Sequence, residues 1–137
     1  MYEKILVAID ESDVAERVIA AAQELASLSQ GEVWVLHARE RETSKFLGSS
    51  IESGADARAI VNTAVAKLAG AGINAHGIVV ATLYGHAADE IIENARQHDA
   101  GVIVMGSRGH GDLAGLLVGS TAHKVIHLGH LPILVVR

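Results

Sequence analysis

VIVMGSRGHGDLAGLLVGST, residues 102 to 121, sets the terms for reading the whole chain. Four apolar residues, Val102-Ile103-Val104-Met105, run straight into a segment holding five of the chain's 14 glycines, and a helical spacing of apolar residues follows at Ala122, Val125 and Ile126. A short, nearly continuous apolar run is how a strand covered on both faces reads. Glycine costs backbone entropy wherever it is ordered, so a cluster between such a strand and a helix needs a reason. Either it is a spacer, or the backbone has to come close to something there.

Outward from this stretch the same alternation repeats. Lys4 to Ile9, Glu32 to His37, His76 to Ala81 and Pro132 to Val136 are also short and rich in Val, Ile and Leu. Between the runs lie apolar stripes at helical spacing: Val14, Val18, Ala21, Leu25 and Leu28; Ile60, Ala64 and Leu68; Ala88, Ile91, Ile92 and Ala95. Asp13 with Glu16 has the spacing of a capping box, and Gly31, Gly70 and Gly101 stand where helices stop or turn. Five strands alternating with four helices predict parallel pairing through right-handed crossovers, and hence an α/β fold. Arg39 to Ser50 is the irregular stretch, read as a solvated surface loop or as a cover over a site at the strand ends.

Composition bounds the function. A chain of 137 residues with 50% apolar content is one domain with a real core. It has no cysteine, which excludes a disulfide framework and a thiolate metal site and suits a reducing cytosol. No apolar run approaches membrane length, so the expectation is a soluble, cytoplasmic protein with no membrane partner. A net charge of −5 with 3% aromatic residues gives no footprint for a polyanion, so nucleic acid is not expected as a partner.

In open α/β sheets, ligands sit outside the carboxyl ends of strands where the winding reverses. Asp10-Glu11-Ser12-Asp13 after the first strand and the glycine-rich segment after the fourth would border one crevice if those strands are neighbours. Gly106 and Gly109 let a backbone approach a ligand, and Gly119, Ser120 and Thr121 open the last helix with amides and hydroxyls suited to an anion. A phosphate would account for the glycines. A Walker A loop does not fit, because Gly119 runs directly into Ser120 with no lysine, and the G-x-G-x-x-G fingerprint is missing after the first strand.

The spacing Gly106-x2-Gly109-x9-Gly119-Ser120 resembles the ATP-binding pattern of the universal stress protein family. The resemblance extends to ILVAIDES at residues 5 to 12, VLHA at 35 to 38 and LPILVV at 131 to 136, so it covers essentially the whole chain. It implies one domain over residues 1–137, a Rossmann-like open sheet of the adenine nucleotide alpha hydrolase type, strand order 3-2-1-4-5, and four helices on both faces. It also implies a stress-associated regulator that binds ATP or another adenine nucleotide (AMP, ADP or cyclic AMP) and forms a homodimer through the last strand. Carried over by position, Ala8 and Asp10 would face the adenosine half of the ligand. Ala38 and Met105 would line the adenine pocket, Gly106 and Gly109 would approach the ribose and phosphates, and Gly119, Ser120 and Thr121 would hold the phosphates. Glu11 stands where many members carry an uncharged residue.

Arg108 and His110 lie inside the loop and supply phosphate charge or sit at a solvated tip; a protonated His110 would strengthen triphosphate binding. His123, His127 and His130 lack an accompanying carboxylate or cysteine, and they read as a surface or interface cluster in preference to a metal site. No G-x-S-x-G elbow, cysteine nucleophile or paired base is visible. At most a slow hydrolysis of ATP is expected, with Mg²⁺ held mainly by the phosphates. The competing reading is an interaction module that works without nucleotide. A terminal strand that starts with Pro132 suits a sheet edge, where its backbone can pair with a second copy.

Overall fold

The computed structural model describes residues 1–41, 54–109 and 118–137. Its elements alternate along the chain as β1 (Lys4–Ala8), α1 (Ala15–Ser29), β2 (Glu32–Arg41), α2 (Gly54–Gly70), β3 (Ala75–Leu83), α3 (Ala87–Gln97), β4 (Val102–Gly106), α4 (Ser120–Leu128) and β5 (Ile133–Val136). The five strands form one sheet in the order β3-β2-β1-β4-β5, and all four pairings are parallel. This is the α/β architecture that the alternating pattern predicts.

Strand periodicity explains how the core divides. Ile5, Val7, Val33, Val35, Val102 and Val104 point to one face and pack with Val18, Ile19 and Ala22 of α1 and Val61, Ala64 and Leu68 of α2. Leu6, Leu36, Ile103 and Met105 point to the other, against Ala88, Ile91 and Ala95 of α3 and Ala122 and Val125 of α4. Because both faces are covered, the central strands lack polar alternation, and Ile5, Leu6 and Val7 of β1 are completely buried. Each such side chain contributes about 1.5–3 kcal/mol of burial free energy.

Several local expectations are corrected. The capping box does not form: α1 begins after Val14, whose position carries no side-chain cap. Instead the Asp10 side chain accepts the Ser12 N–H at 2.8 Å, and the Ser12 carbonyl accepts the Ala15 N–H at 3.1 Å, so the turn organises itself upstream of Asp13. Helix α1 is stopped by Gln30 in the left-handed conformation (φ 54°), and not by Gly31. Strands β2 and β3 run on to Arg41 and Leu83, with Ala38 opposite Val80, Glu40 opposite Thr82 and Arg41 opposite Leu83. Backbone pairing continues into charged sequence, with Arg39 and Glu40 half-buried and Arg41 exposed. The irregular stretch therefore begins as strand; residues 42–53, which hold the rest of it, lie outside the described residues, as does His110.

The Pro132 carbonyl accepts the Ile103 N–H at 3.0 Å just before β5 begins, so the missing proline donor costs the ladder nothing. Among the described residues, β5 pairs with β4 alone and no strand lies on its other side, and Leu134 is 41% exposed. Among the described residues, no helix is long and apolar enough to cross a membrane.

Candidate functional site

With β1 between β2 and β4, the chain leaves β1 toward one edge of the sheet and returns to build the other from β4. The carboxyl ends of β1 and β4 are thus the point where the winding reverses, and a crevice opens there. A cleft of about 610 Å³, partly open to solvent, occupies this place. It brings together Ala8 and Asp10 from the end of β1, Ala38 from β2, Met105 and Gly106 from β4, Arg108 and Gly109 from the loop after it, and Thr121 from α4.

Two predicted residues stand apart from that lining. Gly119 is buried and gives its N–H to the Ser107 carbonyl at 2.5 Å, while its own carbonyl receives the His123 N–H. It is the residue before α4 and ties the two ends of the glycine-rich segment together; its amide is committed to that tie. Ser120 begins the helix and is exposed. The amides of Ser120, Thr121 and Ala122 belong to the first turn and have no acceptor within the helix, which leaves the positive end of its dipole at the cleft.

Gly106 has a packing reason as well as its place in the lining. A Cβ there would lie 3.2 Å from the Arg108 carbonyl oxygen and 3.3 Å from Val14 Cγ1, so the absent side chain lets the loop close over α1's entry. Glu11 is exposed and lies outside the cleft lining, so its position does not add a carboxylate to the crevice.

Sequence reasoning missed Glu40 and His37 and took Ser12 only as part of the Asp10 to Asp13 segment. Glu40 lines the cleft because β2 extends past its apolar run, and Ser12 does so because the turn after β1 folds back on Asp10. His37, buried, donates from Nδ1 to the Ile9 carbonyl at 2.8 Å and fixes the backbone one residue before Asp10. A histidine at the end of an otherwise apolar run was the available signal. Among the described lining residues, the charged groups are the carboxylates of Asp10 and Glu40 and the guanidinium of Arg108. The wall thus carries one guanidinium and two carboxylates, with the start of α4 at Thr121 beside them.

The three C-terminal histidines are exposed, with the His123 and His127 rings stacked 6.2 Å apart and nearly parallel. Among the described residues, no group of three or more His, Cys, Asp or Glu side chains is placed to hold a metal ion.

The model of the universal stress protein family matches residues 1–137. The chain belongs to the universal stress protein family. Universal stress protein YxiE of Bacillus subtilis is 33% identical over 153 residues, with both chains covered completely. Among solved structures of universal stress proteins and their relatives, MJ0577 of Methanocaldococcus jannaschii superposes with a TM-score of 0.81 at 28% identity, covering 99% of this chain and 96% of that one. A universal stress protein from Archaeoglobus fulgidus, solved in complex with dAMP, has a TM-score of 0.72 at 28% identity over 99% of this chain and 98% of its own. The sheet order and the helices on both faces are those of this Rossmann-like family fold.

Proposed function

We propose that the cleft binds an adenine nucleotide, with ATP as the first candidate, and that the bound nucleotide sets the conformation or partner choice of a dimeric stress regulator. One observation carries this reading: a single crevice is lined both by the apolar side chains of Leu36, Ala38 and Met105 and by Arg108, Gly109 and Thr121 at the start of α4, groups suited to an anion. A flat base suits the first and phosphates the second. The dAMP complex of the Archaeoglobus relative supports an adenine nucleotide in this fold. Mg²⁺ would be carried mainly by the phosphates.

Regulation is favoured over catalysis by the chemistry of the wall. The described lining offers the hydroxyls of Ser12 and Thr121 and the carboxylates of Asp10 and Glu40, but no lysine, cysteine or histidine, and the Asp10 carboxylate accepts the Ser12 N–H. We assign the protein to the cytoplasm, in keeping with its cysteine-free composition.

Protein purified without added nucleotide and then denatured should release an adenine nucleotide, identified by mass spectrometry as ATP, ADP, AMP or cyclic AMP. The emptied protein should bind ATP again with Mg²⁺. An empty protein that ignores ATP, ADP and AMP, with or without Mg²⁺, would instead favour an interaction module that works without nucleotide. For the dimer, the supporting features are exposed Leu134 and a β5 edge with no pairing strand among the described residues. Light scattering should give twice the chain mass, and Leu134→Lys should shift it toward monomer; a monomeric parent protein would contradict the pairing.

A further inference from the structure

Ala38 and Glu40 are two residues apart on β2, so their side chains leave the same face of the sheet, and both line the cleft. Among the described residues, Glu40 is held from one side. Its Oε2 accepts the Gly85 N–H at 2.8 Å, and the Gly85 carbonyl in turn accepts from Lys124 Nζ of α4 at 2.9 Å. Gly85 has φ +86°, a left-handed conformation that favours glycine and aims its N–H and carbonyl at these two partners. One peptide group thus links the end of β2, the turn after β3 and helix α4. The second carboxylate oxygen, Oε1, has no partner among the described residues.

We propose that Glu40 selects the base of the bound nucleotide, its Oε1 accepting a hydrogen bond from the exocyclic amine of adenine seated against Ala38 and Met105. This rests on the nucleotide reading of the cleft and adds a specificity-determining residue to it. The cleft's chemistry orients the ligand. Phosphates are drawn to Arg108 and the α4 terminus and repelled by the Glu40 carboxylate, so the base falls to Glu40. An ionised carboxylate only accepts hydrogen bonds. Adenine offers a donor at its six position, whereas hypoxanthine presents a carbonyl there, which sets acceptor against acceptor. The Gly85 contact fixes the carboxylate before the base arrives, so the discrimination needs little side-chain ordering.

The test compares ATP with ITP, each with Mg²⁺, by calorimetry on emptied protein. The parent protein should prefer ATP by roughly ten- to a hundredfold, the range for one hydrogen bond to a charged group. In Glu40→Gln the amide oxygen still accepts the Gly85 N–H while the amide nitrogen can donate to the hypoxanthine carbonyl. The preference should therefore collapse, chiefly through tighter ITP binding, a gain that a merely damaged site would not produce. A parent protein that binds ATP and ITP equally, or a Glu40→Gln variant with an unchanged ratio, overturns the role of Glu40 and leaves the nucleotide site standing. A variant that alters ATP against dATP instead places the carboxylate on the ribose and overturns base selection. No binding of any adenine nucleotide by the parent overturns both.

Discussion

A Cβ built on Gly31, beside the N-terminal ends of β1 and β2, would lie 2.7 Å from the Tyr2 carbonyl oxygen and 2.7 Å from Ser29 Oγ, whereas one built on Gly106, at the C-terminal end of β4, would meet nothing closer than 3.2 Å. The first glycine is demanded by backbone already present, locked by the Ser29 hydroxyl bonded to the Tyr2 carbonyl at 2.8 Å. The second sits where a small shift would accommodate a methyl group, yet it faces a cleft. The same end-to-end contrast holds for other side chains. At the N-terminal end Trp34 stacks on His76 and contacts His98, each with ring centroids 5.2 Å apart, and Glu32 accepts from Asn74 at 2.7 Å and pairs with His76 at 2.9 Å. Polar groups there satisfy one another. At the C-terminal end Asp10 and Glu40 also bond locally, to the Ser12 and Gly85 N–H groups, but the strand ends part around a cleft open to solvent.

The contrast can be broken by moving bulk from one end to the other. The largest effect is expected for Gly109→Val, which should abolish measurable ATP binding while the unfolding free energy stays within about 0.5 kcal/mol of the parent protein. Unchanged affinity in calorimetry would remove the glycine-rich loop from the site. Gly31→Ala should act in the opposite sense. Crowding the Tyr2 carbonyl should cost about 1–3 kcal/mol of stability in urea melts and leave the ATP affinity of the folded protein untouched; a silent variant would mean the N-terminal end yields more easily than its packing implies.

The smallest effect belongs to neither end. On α3, Arg96 bonds to Glu93 at 2.6 and 3.0 Å and, with a further bond from Gln97, holds the Glu93 carboxyl down at about 2 from an ordinary 4.5. A depressed carboxylate pKa stabilises the fold above the unfolded value, and that contribution is lost as pH falls from 4.5 toward 2. Glu93→Gln should therefore lower the thermal midpoint slightly at pH 7, with a gap that narrows through that acidic window. A gap that widens there would contradict the pairing. Because the pair is at the surface, salt should shrink it too.

The fold was legible in the sequence because both faces of the sheet are covered, so Lys4 to Ile9 and Val102 to Met105 read as unbroken apolar runs. Strand ends were less so: Arg39, Glu40 and Arg41 are charged, and nothing in their types reveals that backbone pairing with Ala81, Thr82 and Leu83 continues. That is why Glu40 went unnoticed as a lining residue. The glycine spacing pointed to residues that share one place, since Gly106, Gly109 and Thr121 line a cleft together with Asp10 and Ala38. It could not reveal that the Gly119 amide is used by Ser107, because that hydrogen bond closes a loop across residues distant in sequence. Likewise Asp10 and Ser12 form a local turn that competes with the expected Asp13 cap, a choice decided by backbone geometry and not by residue type.

Amide-resolved NMR of the emptied protein titrated with ATP and Mg²⁺ tests the division between the two ends most directly. The resonances of Asp10, Ala38, Gly109, Ser120 and Thr121 should move together and saturate with one affinity, while Gly31, Trp34 and Gly101 hold still. Shifts concentrated around Trp34, His76 and His98, or no shifts at all, would contradict a nucleotide site at the carboxyl ends of β1 and β4.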